Sequence, residues 1–356
     1  MPLLQVDSNG LWCEPGGFHV DPWSPVSRAL ITHGHSDHAR AGSQAYLCAA
    51  ASESVLRARL GPDIRLETLN YGQTRIIGNV SVSFHPAGHV LGSAQIRIEY
   101  RGEVWVASGD FKLAPDPTCA PFEPVRCHTF VTESTFGLPI YRWPEQASVA
   151  ASIHEWWRNN QRHGKASVLF AYPLGKSQRV LAGLDPATGP IFCHGAIERV
   201  NRIYRASGVA LPETLYTGSV ERGYDWSKAI VIAPPSAHGS SWMKRFGAAS
   251  TGFVSGWMRI RGTRRRRSID RGFVISDHAD WPGLQQAISA TGAECVLVTH
   301  GYRAPLVRWL EEKGIESRAL ETRFEGERDE GTATSPGEDM DLAADIEPGA
   351  DSGATG

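Results

Sequence analysis

No stretch of this sequence approaches the run of about 20 apolar residues that a membrane helix requires. Met1 to Gly10 lacks the basic and apolar regions of a secretory leader. The six cysteines (Cys13, Cys48, Cys119, Cys127, Cys193, Cys295) are scattered with no C-x-x-C pair, which argues against a disulfide scaffold or a thiolate metal site and for reduced thiols. No internal repeat occurs, so a solenoid is excluded. These absences give the expectation of a cytoplasmic protein with no membrane contact.

Charge of one sign is also missing overall, for the net is only -2. That near-balance hides an asymmetry. From Glu325 to Gly356 there are ten Asp or Glu and one Arg, and the remaining residues 1–324 sum to +7. The last segment, rich in Gly and Ala, reads as a disordered acidic tail. The basic body suits a polyanionic partner. Apolar residues make up 41% of 356 residues, enough for a large core and for two domains.

The densest chemistry lies in Thr32-His33-Gly34-His35-Ser36-Asp37-His38-Ala39-Arg40. Imidazole and carboxylate are ligands for borderline divalent metals. Four such groups, His33, His35, Asp37 and His38, exceed what one open site needs and suit two neighbouring ions. Ala29 to Thr32 reads as the buried strand delivering them, with a helix beginning at Asp37. Asp21 closes the run Phe18-His19-Val20 just before Pro22, where it either caps a turn or buttresses the ligands.

Further strands end in the same residue types. Val80 to Phe84 breaks at His85-Pro86-Ala87-Gly88-His89, with His89 the ligand and His85 structural. A hairpin of Gln95 to Tyr100 and Glu103 to Ser108 ends at Gly109-Asp110. Phe130 to Thr132 leads into Glu133. From Trp143 to Arg271 helices and strands alternate, which predicts a parallel α/β unit inserted before the ligand pattern resumes. Strand 273–275 then carries Ser276-Asp277-His278-Ala279-Asp280-Trp281, and strand 295–298 ends at Thr299-His300-Gly301.

With these residues in view, the chain resembles metallo-β-lactamase-fold nucleases of the β-CASP group, over essentially residues 1–322. G-G-F-H-V-D, H-G-H-S-D-H-A-R, P-A-G-H-V-L-G-S-A, S-G-D-F, T-E-S-T-F-G, S-G-W-M, S-D-H-A-D-W and V-T-H-G-Y together resemble the bacterial ligase-associated DNA exonuclease branch. The resemblance implies an αββα metallo-β-lactamase sandwich with an inserted parallel α/β β-CASP domain. Its parts would be 1–137 and 271–324 for the sandwich, 138–270 for the insert and 325–356 for the tail. It further implies two divalent ions, zinc or manganese. His33, His35 and His89 would hold one, Asp37, His38 and His300 the other, with Asp110 between them and Asp21 orienting the ligands.

Asp37, Glu133 and His278 are the catalytic residues so implied, with His278, held by Glu133, meeting the scissile phosphate. The activity would be exonucleolytic hydrolysis of DNA in repair, leaving a 5′-phosphate and a 3′-hydroxyl. An ATP-dependent DNA ligase and a helicase are the partners this branch suggests. In the wider group a histidine at the position of His300 accompanies RNA substrates, which makes RNA processing the alternative. Tyr302 stands where the group has an acidic residue after His-Gly.

Phosphate contacts are expected from Lys176 and Ser177, at a strand-to-helix turn after Gly175, with a plain helix start as the other reading. Arg264, Arg265, Arg266 and Arg267 form the densest basic run and the second candidate contact. Trp257 and Trp281 read either as base-stacking platforms or as core. A small-molecule hydrolase would leave the large insert without a task. A silent binding subunit would leave a full ligand set unexplained.

Overall fold

The computed structural model describes residues 2–260, 262 and 268–324. The run Arg264 to Arg267 and the acidic segment from Glu325 lie outside the described residues. Among the described residues no helix is long and apolar enough to cross a membrane.

Three sheets organise the chain. β1 (Gln5–Val6), β2 (Leu11–Cys13), β3 (Phe18–Val20), β4 (Ala29–Ile31), β5 (Tyr46–Ala49) and β6 (Leu66–Leu69) pair in that order. The first three are antiparallel and the rest parallel. The second sheet starts with an antiparallel meander of β7 (Thr74–Ile77), β8 (Val80–Pro86), β9 (Ala94–Tyr100) and β10 (Glu103–Ala107), to which β11 (Thr129–Ser134) adds in parallel.

The chain then leaves to build the third sheet. Its strands are β12 (Ala166–Phe170), β13 (Ile191–Cys193), β14 (Leu215–Tyr216), β15 (Ile230–Ala233), β16 (Ala249–Val254) and β17 (Arg271–Phe273), in the order β14-β13-β15-β12-β16-β17. Every pairing among them is parallel. β18 (Cys295–Gly301) returns to pair with β11, and β19 (Glu316–Ala319) follows it at the edge.

Alternation along the strands sets the layers. Val82, Ile96, Ile98, Trp105, Val131 and Leu297 of the second sheet bury against Val20, Leu30 and Leu47 of the first. On the opposite face of the second sheet, Val104, Val106, Phe130, Val296 and Val298 pack under helices Trp281–Thr291 and Arg303–Glu312. Helix Glu53–Leu60 covers the outer face of the first sheet through Leu56, which joins Ala29, Ile31 and Cys48. The result is a helix–sheet–sheet–helix stack. The third sheet is apolar on both faces, as a parallel sheet requires, with Trp156 and Ile197 on one side and Phe136, Trp226 and Trp257 on the other.

Two expectations are corrected. Asp37 does not begin a helix. Residues 36–38 form a turn, and the Ala39 and His38 amides both bond the His35 carbonyl. The strand placed at 273–275 runs instead over Arg271–Phe273 and closes the third sheet beside β16. Of the two readings left open for Trp257 and Trp281 the structure favours the core, for they are 9% and 6% exposed.

Candidate metal centre

The ends of β4, β8, β10, β11 and β18 point at one place, and each delivers a polar side chain there. His33 follows β4, His89 follows β8, Asp110 follows β10, Glu133 closes β11 and His300 lies near the end of β18. Asp110 sits at the middle. Its Oδ2 is 3.6 Å from His33 Nε2, 3.7 Å from His38 Nε2 and 3.8 Å from His89 Nε2, and its Oδ1 is 3.1 Å from His300 Nε2. His35 Nδ1 lies 3.0 Å from His89 Nε2, and Asp37 Oδ2 is 3.6 Å from His38 Nε2. Among the groups that could hold an ion are His33, His35, His89 and Asp110, and His38, Asp110 and His300 with Asp37 at its edge.

Whether these residues fit metal ions can be asked of their other ring atoms. The Thr32 hydroxyl donates to Asp21 Oδ2 at 2.5 Å, so at 3.0 Å it accepts from His33 Nδ1. His38 Nδ1 donates to Asp21 Oδ2 at 2.8 Å, and His89 Nδ1 to the Asp277 carbonyl at 2.9 Å. Thr299 gives its proton to the Thr132 carbonyl at 3.2 Å and accepts from His300 Nδ1 at 2.8 Å. His35 is reversed: its Nε2 meets the Leu174 carbonyl at 3.4 Å, leaving Nδ1 inward.

Each histidine thus commits one nitrogen outward and aims the other at the centre, the arrangement that fixes a ligand's tautomer. His33 Nε2 and His38 Nε2 are buried without a hydrogen-bond partner, while His300 Nε2 and Asp110 Oδ1 face only each other, at 3.1 Å. Buried polar atoms rarely stay unsatisfied, so the donor set fits divalent cations.

Electrostatics follow from this crowding. Burial, with His38 and His89 beside it, pushes His33 well below the usual imidazole range. Burial and His278 do the same to His89. Burial works against a charged His38 too, yet Asp37, Asp110 and Asp21 outweigh it and hold its pKa at about 10. For Asp110, burial is overcome by His38, His278 and His300, which keep the carboxyl well below the usual range.

His278 abuts this cluster, close enough to group with Asp110 and Glu133 or with His89 and Asp277. Glu133 takes its Nδ1 through both oxygens, at 3.1 and 3.0 Å, while accepting the Phe111 amide at 2.9 Å. The ring centroid is 4.7 Å from that of His89, and Nδ1 is 3.9 Å from Asp110 Oδ2. Burial opposes protonation, but Glu133 and Asp110 raise the His278 pKa to about 10. His85 lies apart, bonded to Glu123 and Ser83.

The structure corrects the role foreseen for Lys176 and Ser177. Both are buried, at 2% and 0% exposure. Lys176 Nζ lies 3.2 Å from Asp277 Oδ1, and the Ser177 hydroxyl donates to the Tyr172 carbonyl at 2.7 Å. Neither presents a phosphate-binding surface.

Other contributors were missed. Thr32 and Thr299 each precede a ligand histidine, and the repeated Thr-His-Gly was a signal for both. Thr299 answers the departure at Tyr302, whose hydroxyl lies instead 3.3 Å from that of Tyr141. Phe324, stacked on His38, carried no local signal.

No protein-family model matches the chain. It is 32% identical over 324 residues to a probable DNA ligase of Opitutus terrae, covering 90% of this chain and 31% of that protein. It is 26% identical over 149 residues to an RNase J-like protein of Methanocaldococcus jannaschii, covering 39% of this chain and 35% of that one. The chain therefore spans about a third of the length of these curated relatives. A crystal structure of a protein of unknown function from Enterococcus faecalis shares the fold, with TM-score 0.56, 12% identity and coverage of 83% of this chain and 80% of that one. Kinship in sequence and a His/Asp cluster at the strand ends agree: the chain is similar to nucleases of the metallo-β-lactamase/β-CASP kind.

Proposed function

We propose that the protein is a metal-dependent phosphodiesterase that degrades DNA from single-stranded or exposed ends, leaving a 5′-phosphate and a 3′-hydroxyl. The observation that carries this reading is the convergence on Asp110 of His33, His38, His89 and His300, with His33 Nε2 and His38 Nε2 lacking hydrogen-bond partners, beside the paired His278 and Glu133. On this reading one ion is held by His33, His35 and His89, a second by Asp37, His38 and His300, and Asp110 lies between them. When bound, such ions supply Lewis-acid charge and a water acidified to a pKa of roughly 7. Zinc and manganese both suit the donor set.

The remaining roles fall to side chains. A phosphodiester repels anionic nucleophiles and builds negative charge at its transition state, so cationic and donor groups fixed beforehand lower the barrier. His278, kept protonated by Glu133, donates to the phosphate and then to the leaving oxygen. Asp21 holds His38 in register. The third sheet and its helices, from 138 to the end of β17 at Phe273, form the β-CASP cap over the nucleic acid, and 1–137 with 274–324 form the sandwich. The match to a protein named a probable DNA ligase supports DNA as substrate and a DNA ligase as partner, and the helicase rests on the resemblance alone. The RNase J-like relative supports the second reading, a ribonuclease.

The test is incubation of metal-stripped protein, resupplied with manganese or zinc, with end-labelled single-stranded DNA and the matching RNA, beside Asp37→Ala. Metal-dependent loss of DNA from one end, abolished in the variant, is expected. Cleavage of RNA alone would transfer the protein to the second reading. Failure to cleave either with two ions bound would end both.

A further inference from the structure

The buried segment from Leu174 to Arg179, which follows β12 in the third sheet, touches three of the turns that make the centre. The Leu174 carbonyl accepts from His35. Gly175, at φ +86°, approaches so closely that a Cβ there would meet Val90 Cγ1 at 2.3 Å and Asp277 Oδ2 at 3.4 Å. Lys176 pairs with Asp277.

Arg179 reaches farthest. Its guanidinium is 1% exposed, donates to the Ser276 carbonyl at 2.5 Å and to the His89 carbonyl at 3.3 Å, and pairs through Nε with Asp116. Those two carbonyls flank one bond, the one His89 Nδ1 makes to the Asp277 carbonyl. Arg179 therefore grips both sides of the contact that fixes the His89 ring. Lys112 Nζ, 2.7 Å from the same Ser276 carbonyl, adds a second donor there. A planar fork with donors in fixed directions can hold two carbonyls and a carboxylate together, whereas a single ammonium cannot.

We propose that Arg179 is a positioning residue for the ion held by His33, His35 and His89, so that the third-sheet unit completes that site from behind. The inference rests on reading the His/Asp cluster as a two-ion centre. It goes beyond a cap over the substrate, because it makes ion retention depend on the insert. The outward ring nitrogens of His38 and His300 are held by Asp21 and Thr299, outside this segment, so the ion on that side should be independent of Arg179.

The test is stepwise titration of the full-length, metal-stripped protein with cobalt(II), read by visible absorption and by competition with a chelator. Wild type, Arg179→Met, Arg179→Lys, His35→Ala and Arg205→Met are compared, with folding checked by circular dichroism. Arg205 pairs with Glu198 in the same unit, away from the centre, and controls for plain destabilisation.

Arg179→Met should weaken one of the two ions about tenfold or more, the same ion that His35→Ala removes, and leave the other within about twofold. Arg179→Lys should fall between. If Arg179→Met does not fold, Arg179→Lys carries the same comparison. Two unchanged affinities, or a joint fall of both ions as in Arg205→Met, would overturn the proposal. Wild type that binds no ion would remove the two-ion reading itself.

Discussion

Phe324 lies flat on His38, with ring centroids 4.6 Å apart and planes 6° from parallel. A strap leads it there: the Leu320 amide bonds the Val298 carbonyl, and Thr322 bonds the Thr299 carbonyl. Trp23 meets the far side of the phenyl ring edge-on at 5.8 Å. Such ring pairs contribute about 0.5–1.5 kcal/mol beyond burial. Phe324→Ala should weaken retention of the ion at His38 and His300 by up to about tenfold and leave the His33 site alone. Chelator competition would read this, and equal retention by variant and wild type would exclude a role for the stack.

His38 has to lose a proton before it can serve as a ligand. In the metal-free protein its pKa is about 10, so at neutral pH the ring is cationic. Metal uptake should therefore release at least one proton, and apparent affinity should rise with pH through the neutral range. Calorimetric titration of zinc in buffers of different ionisation enthalpy would count the protons. A buffer-independent heat would contradict the expectation. The raised pKa also has a stability consequence. His38 contributes fully to the metal-free fold below about pH 6.5, its unfolded value, and that contribution is lost as pH climbs through about 10.

The pairing of His278 with Glu133 predicts a separation of binding from turnover. His278→Ala should lower turnover by roughly 10²- to 10⁴-fold with both ions retained. Glu133→Gln removes the leading cause of the raised His278 pKa, so the alkaline limb of its rate profile should move to lower pH. Metal analysis with pH-rate profiles decides it. Loss of an ion in His278→Ala would reassign that ring as a ligand.

Asp21 adopts a left-handed backbone at φ 43° and accepts from the Thr32 amide, the Thr32 hydroxyl and His38 Nδ1. Asparagine tolerates that backbone region, so Asp21→Asn isolates the carboxylate from the turn. Metal affinity should fall by about 10- to 100-fold, as for other partners of ligand histidines. Thr32→Val should cost less, because it leaves the His38 bond intact. Retained affinity in Asp21→Asn would mean that the turn alone sets His38.

The cluster was legible in the sequence because each ligand ends its own strand, and strand ends can be read from local apolar runs. His33, His89, Asp110 and His300 all follow that rule. The helix expected from Asp37 failed because His38 is held down by Asp21, 17 residues earlier, which one turn allows. Lys176 and Ser177 looked like a phosphate loop because Gly-Lys-Ser is polar. Lys176 is paired with Asp277, distant in sequence, and Ser177 turns back onto the Tyr172 carbonyl. Partners such as Leu174 and His35, 139 residues apart, leave no periodic trace.

The parallel pairing of β11 with β18, in register from Thr129 opposite Cys295, bears on the order of assembly. Everything between those strands must be made before the second sheet can close, and pairings so remote in sequence form slowly. Asp110 and Glu133 emerge early in synthesis, whereas His278 and His300 emerge last. A partly synthesised chain therefore cannot gather the full set of side chains. The protein acquires its chemistry in one late event, after the third sheet has its strands.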